Sequence, residues 1–145
     1  MNIGNKKTEL LAPAGNIVSA LTAFDAGADA VYAGLKKFNA RERTENFDIE
    51  SMSKLITYAH SNNKKVYITL NTLLREGEIA EFADFLSILF SLKPDGLIMH
   101  DIGAVRLARE YFPSMPIHAS TQMGIHNSKG IEMAHELGIK RVILE

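Results

Sequence analysis

The residue types able to move protons or hold a polar ligand fall into a few short stretches of this chain, each closing an apolar run. IHASTQ places His118, Ser120, Thr121 and Gln122 together, MHDIG supplies His100 and Asp101, and TLNT supplies Thr69, Asn71 and Thr72. VYAG brings Tyr32 and Gly34, with Asn39, Arg41 and Arg43 just beyond, and Glu145 ends the chain. A serine, a histidine and an aspartate are the parts of an acyl-transfer site: a hydroxyl to attack, an imidazole to take its proton, a carboxylate to orient the imidazole. Asp101, His118 and Ser120 are therefore the catalytic candidates. Tyr32, Asn39, Arg41, Asn71, Thr72, Gln122 and Glu145 are the candidates for holding a substrate.

Each of these has a plainer reading. His118 fits a hydrogen-bonded core histidine, since buried polar groups are normally satisfied. Asp101 and His100 fit a helix start, where Asp is favoured. Arg41 and Arg43 fit a solvated loop. PAG at 13–15 fits a tight turn, or helix N–H groups offered to an anion. A triad can be drawn from Ser120, His118 and Asp101, but no strained nucleophile turn accompanies it.

Alternation decides which side chains share a face. In the run 65–71, Val66, Ile68 and Leu70 take one side of a strand, and Tyr67, Thr69 and Asn71 the other. In IHASTQ, Ile117 and Ala119 oppose His118, Ser120 and Gln122. A polar face climbing toward the strand ends suits a ligand site better than a hydrocarbon core.

The elements that must carry these residues follow a strict order. Strands are predicted at 9–12, 29–34, 65–71, 96–100, 117–120 and 141–144. Pro13 and Gly15 stop the first. Helices fall between them: one from Gly15 or Asn16 to Phe24, and a second capped by Asp48 with Ile49, Met52, Leu55, Ile56 and Ala59 at helical spacing. A third buries Ile79, Phe82, Ala83, Leu86, Leu89 and Phe90, and a fourth spans Ile102–Tyr111 before Pro113. A fifth, capped by Asn127 or Ser128, turns Ile131, Ala134 and Leu137 inward. Strand–helix alternation with short connections predicts a parallel α/β sheet with right-handed crossovers.

Two architectures compete, an open doubly wound sheet and a closed barrel. An eightfold barrel of TIM type needs ~250 residues, and the 145 here end inside the apolar run RVILE. Unpaired strand edges invite aggregation. The expected fold is therefore an incomplete parallel (β/α) barrel over 8–145, with five βα units and a sixth strand, after a flexible tail at 1–7.

Composition narrows the chemistry. The chain is 46% hydrophobic and 23% charged with a formal net charge of -1, which favours no class of partner. It has no cysteine, so thiol nucleophiles, disulfides and thiolate-bound metal are excluded from this stretch. HELGI at 135–139 has Ile139 where a zinc-protease motif needs its second histidine. No Gly-rich phosphate loop is present, and no metal site is expected. The first seven residues lack a signal-peptide core, and no apolar run approaches the ~20 residues of a membrane span. The expected location is the cytoplasm, without membrane attachment.

ELLAPAGN, AFDAGADAVYAG, FNAR, YAHSNNKKVYITLNTL, HDIG and PIHASTQM follow one another in order. Together they resemble the N-terminal portion of the collagenase-like peptidases of unassigned catalytic type, peptidase family U, number thirty-two. The resemblance covers nearly the whole chain and implies a peptidase acting on a peptide substrate, its catalytic residues unassigned. It equally implies a second activity, hydroxylation of RNA or of a small molecule, because other members of the family carry it. Those members use an iron–sulfur cluster on cysteines beyond the matched region, so the resemblance implies no cofactor in this stretch and a cluster only in a longer chain. In that second reading Arg41 and Arg43 would meet a carboxylate or phosphate. Asp101 agrees with the family pattern, whereas His100 stands where the family often has Gln.

An incomplete barrel leaves two strand edges open, and self-association through RVILE is the expected way to cover them. Light scattering at tens of micromolar checks this: a dimer or larger species is expected, and a strict monomer counts against it.

Overall fold

The computed structural model describes residues 8–40 and 46–144. The predicted tail at 1–7, Arg41, Arg43 and Glu145 lie outside the described residues. Asn or Asp opens four of the five described helices. Asn16, Asp48, Asp101 and Asn127 each accept a backbone N–H with the side chain, at Ser19, Ser51, Ala104 and Gly130. Each such cap is worth about 1 kcal/mol and marks where a crossover turns back toward the sheet.

The elements run β1 (Leu11–Pro13), α1 (Ile17–Asp25), β2 (Ala30–Gly34), α2 (Ile49–Ser61), β3 (Lys65–Leu70), α3 (Ile79–Leu92), β4 (Gly96–Met99), α4 (Ile102–Tyr111), β5 (Ile117–Ala119), α5 (Ser128–Glu136) and β6 (Arg141–Val142). Short 3-10 turns at Glu76–Glu78 and Thr121–Met123 were not anticipated. Every strand pairs in parallel with its sequence neighbours, in the order β1-β2-β3-β4-β5-β6. A doubly wound sheet would reverse its order at a switch point. This one never does, and it curls into an incomplete TIM-like barrel.

The two faces of the sheet hold two cores. Val31, Ile68, Leu70, Leu97, Met99 and Ile117 pack outward against Met52, Leu55, Phe82, Leu86, Leu89 and Val105 of the helices. Ala30, Tyr67 and Ile98 face the lumen, with Leu11, Tyr32 and Ile143 packed against them. Strand alternation read from sequence thus assigns the correct face in β3 and β5.

Some details differ. Pro13 ends the first strand as its last residue and not as the first beyond it: it pairs with Tyr32 on an edge strand of the described sheet, where its missing N–H is not needed. Ile79, Phe90 and Ile131 were expected inside but are 37%, 41% and 44% exposed. Ile79 begins α3 directly after the 3-10 turn, Phe90 lies on a flank and meets the Phe112 ring at 5.0 Å, and Ile131 sits on the exposed face of the first turn of α5.

At the N-terminal end of the lumen, Glu9 joins strands that are far apart in sequence. Its carboxylate accepts from Arg141 Nη1 at 2.7 Å, Lys65 Nζ at 2.8 Å and the Tyr67 hydroxyl at 3.0 Å. The Arg141 guanidinium stands 5.2 Å from the Tyr67 ring centroid, and the His118 ring packs on Tyr67 at 4.7 Å. Gly96 makes room for that histidine, since a Cβ there would lie 3.3 Å from His118 Nε2 and 3.1 Å from the Pro116 carbonyl oxygen.

Burial alone would raise the Glu9 carboxyl, but the hydrogen bonds from Arg141, Lys65 and Tyr67 outweigh it and hold it at about 2. Burial and the Arg141 charge push His118 down to about 4. Both groups therefore stabilise the fold at neutral pH and release that stability on acidification. His118 does so as pH falls from about 6.5 to 4, where the unfolded chain binds the proton first. Glu9 does so from about 4.5 to 2. Urea unfolding is expected to show a lower midpoint at pH 4.5 than at pH 7, with H118Q flattening that drop. E9Q is expected to cost about 1–3 kcal/mol at pH 7, and an unchanged midpoint for E9Q would contradict this description of the floor.

Candidate functional site

The C-terminal ends of the strands enclose a cavity of about 440 Å³. Its floor is apolar, formed by Leu11, Ile98 and Ile143, and its wall is polar but uncharged among the described residues. Tyr32, Asn39, Asn46, Thr69, Asn71, Ser120, Thr121 and Gln122 line it, with the backbone of Pro13 to Gly15 on one side. The size suits one small molecule or one ring system of a larger one.

Three βα loops shape the wall. The loop after β2 is pinched at its base, where Leu35 bridges Phe47, the Phe47 N–H donates to the Gly34 carbonyl at 3.1 Å, and the Lys36 N–H donates back at 3.3 Å. Phe38 sits in the left-handed region at φ 56 and drives its ring onto Phe82, 5.0 Å away and edge-on. That anchor turns buried Asn39 back over β2, where its Nδ2 donates to Asn46 Oδ1 at 2.8 Å. Gly34 is the residue that permits it: a Cβ there would lie 1.9 Å from Asn39 Nδ2. Asn71, at the end of β3, accepts the Ala40 N–H at 3.2 Å and so joins the second loop to the first. Ser120 starts the third, its hydroxyl accepting the Gln122 N–H at 3.3 Å. Thr69 donates its hydroxyl to the Ala33 carbonyl at 3.2 Å, tying β3 to β2 below the rim.

Of the residues proposed from sequence, Tyr32, Asn39, Asn71, Ser120 and Gln122 converge on this cavity. Thr72 is half-buried beside it but does not line it. Asp101 lies outside the wall: its Oδ1 accepts the Ala104 N–H at 2.7 Å and its Oδ2 the Leu74 N–H at 3.1 Å. His118 is buried one layer deeper, against Tyr67, and does not line the cavity either. Ser120 and His118 are both on the lumen side, yet no hydrogen bond joins Ser120, His118 and Asp101 among the described residues. Arg41 and Glu145 lie outside the described residues.

Sequence reasoning missed Asn46 and the Glu9 cluster. Asn46 directly precedes Phe47 and the Asp48 cap, so a polar residue at the closing end of a long βα loop was the available signal. Among the described residues no group of three His, Asp or Glu side chains could hold a metal, and no helix is long and apolar enough to cross a membrane.

Replacing Gly34 with alanine is expected to expel Asn39 and lower the melting temperature by several degrees, about 1–3 kcal/mol. Truncating the obstructing side chain in G34A/N39A should recover most of that loss. A G34A protein as stable as the parent would refute the close approach.

The model of peptidase family U32 matches residues 15–145. Escherichia coli (strain K12) tRNA hydroxylation protein P is 39% identical over 138 residues, 95% of this chain and 30% of that protein. An uncharacterized protease of Methanocaldococcus jannaschii is 40% identical over 136 residues, 94% of this chain and 33% of that protein. The chain thus spans about a third of the length of these relatives. The solved structure of a U32 peptidase superposes with a TM-score of 0.77 at 10% identity, covering 100% of this chain and 61% of that one.

Proposed function

The chain belongs to peptidase family U32, and we propose that its cavity receives a nucleobase of an RNA that the protein hydroxylates. The observation that carries this reading is the chemistry of the wall: side-chain amides and hydroxyls around an aromatic ring, with no charged side chain among the described residues. An Asn or Gln amide offers both a donor and an acceptor, the vocabulary of a base edge. Tyr32 offers a flat apolar face of the kind on which unstacked bases rest. A base turned out of its strand into such a pocket is the usual way an enzyme reaches a base atom. The tRNA hydroxylation protein among the relatives supports the same direction.

Peptide hydrolysis finds less support in the geometry. A serine nucleophile needs a base within hydrogen-bond reach. Ser120 Oγ is engaged by the Gln122 N–H, and His118 packs on Tyr67 with its proton affinity pressed down to about 4. Asp101 spends both oxygens on backbone amides.

Hydroxylation replaces a C–H by C–OH, so it needs an oxygen donor and an acceptor for two electrons, neither of which the described residues supply. The cluster that the family resemblance implies needs thiolates, and this chain has no cysteine. These residues do not fit that group. What they do is bind: Asn71 and Gln122 reach the edge of the base, Tyr32 and Ile98 cover its face, and the apolar floor excludes water.

Inactivating the gene in its source organism and quantifying tRNA and rRNA nucleosides by mass spectrometry tests the proposal. Loss of one hydroxylated nucleoside is expected, restored by the native gene but reduced at least tenfold with N71A. An unchanged nucleoside profile, together with a peptide-cleaving activity abolished by S120A, would overturn the proposal in favour of hydrolysis.

A further inference from the structure

Asp101 touches nothing in the cavity, yet we infer that it is a positioning residue for it: its carboxylate sets the loops that carry Asn71 and Asn39 to the ligand. As a statement about ligand binding, this rests on the nucleobase reading above. A helix N-cap needs one acceptor oxygen, and Asn16 and Asn127 do that work with an amide. Asp101 has two and uses both. Oδ1 caps α4 through the Ala104 N–H at 2.7 Å, while Oδ2 takes the Leu74 N–H at 3.1 Å from the loop after β3. Bonds to a charged acceptor are stronger than neutral ones, so the loop is held by the more robust kind.

From there the connection runs around the rim. Leu74 lies three residues after Asn71, and its side chain packs against the helix-side core, so the β3–α3 loop is fixed at two points. Asn71 in turn accepts the Ala40 N–H at 3.2 Å, which leaves its NH₂ group for the cavity. The next residue back, Asn39, completes the rim through Asn46 at 2.8 Å. Three loops after three neighbouring strands are thereby joined in series, beginning at one carboxylate that no ligand need touch. Neither an amide nor a hydroxyl at position 101 supplies a second acceptor oxygen.

Two variants of the 145-residue chain separate the roles. D101S keeps a good cap for Ala104 but offers Leu74 nothing. D101N keeps the size of the side chain and one acceptor oxygen, and serves if D101S does not fold. Amide hydrogen exchange at Leu74, Ala104 and Ala40 is read alongside a nuclear magnetic resonance titration with uridine. In the variant, exchange at Leu74 and at the distant Ala40 is expected to rise roughly tenfold, Ala104 is expected to stay protected, and uridine binding to weaken roughly tenfold. Freed Leu74 with Ala40 exchange and uridine affinity both unchanged would reduce Asp101 to a helix cap and overturn the inference. If the parent chain binds no uridine, the nucleobase reading fails by itself. Ala40 exchange then decides the positioning role: faster exchange in the variant upholds it, and unchanged exchange overturns it.

Discussion

A single carboxylate in the floor of the lumen is the constraint on which the rest of this structure depends. Six parallel strands paired in sequence order can lie in an open twisted sheet or curl. What draws the first and last described strands toward each other is Glu9, bonded at once to Lys65 and Tyr67 of β3 and to Arg141 of β6. The partners are partly solvated and the individual bonds modest, but the set spans 132 residues of chain in the Glu9–Arg141 pair. Burial raises the proton affinity of Glu9, and the hydrogen bonds from Arg141, Lys65 and Tyr67 bring it down. His118 belongs to this floor: neutral, packed on Tyr67, and admitted by the missing side chain of Gly96. Conserving that arrangement holds Ile98, Leu11 and Ile143 together as the base of the cavity above.

The upper end obeys a different logic. There the strands finish in neutral amides and hydroxyls, and the loops, not the strands, determine how these converge. Gly34, Phe38 and the Leu35–Phe47 bridge place Asn39; Asn71 joins that loop to the next; Asp101 joins the next to the start of α4. Floor and rim therefore divide the labour found generally in parallel barrels, with stability at the N-terminal ends of the strands and ligand chemistry at the C-terminal ends. Glu9, Lys65, Arg141 and His118 meet in the floor, and among the described residues the wall of the cavity is left to hydrogen-bonding groups that carry no charge.

Much of this was legible in the residues. Strand alternation assigned Tyr67, Thr69 and His118 to the lumen, and the location rule for parallel sheets picked out Tyr32, Asn39, Asn71, Ser120 and Gln122. Asp48 and Asn127 announced their helices because capping is local chemistry, settled within three residues. What was not legible is contact between distant segments. Glu9 reads as the polar first residue of a predicted strand, since nothing local reveals that Arg141 will stand beside it. His118 and Ser120 share a face, so a shared site looked natural. The rise of a strand, about 3.3 Å per residue, puts them in different layers, one in the floor and one at the rim. Asp101 was read both as a helix start and as a partner for His118 and Ser120; its Oδ1 does cap α4 at Ala104, while the Leu74 N–H on its second oxygen comes from a distant loop that local sequence does not reveal.

The central claim is that the cavity above the Glu9 floor holds a base and not a scissile peptide. A crystal structure of this chain soaked with uridine addresses it directly. A pyrimidine ring is expected over Ile98, its face against Tyr32 and its edge within hydrogen-bond distance of Asn71 or Gln122, with Asp101 still on Leu74. A ring bound elsewhere, or a cavity that stays empty under uridine yet takes a dipeptide with its carbonyl at Ser120 Oγ, would contradict it.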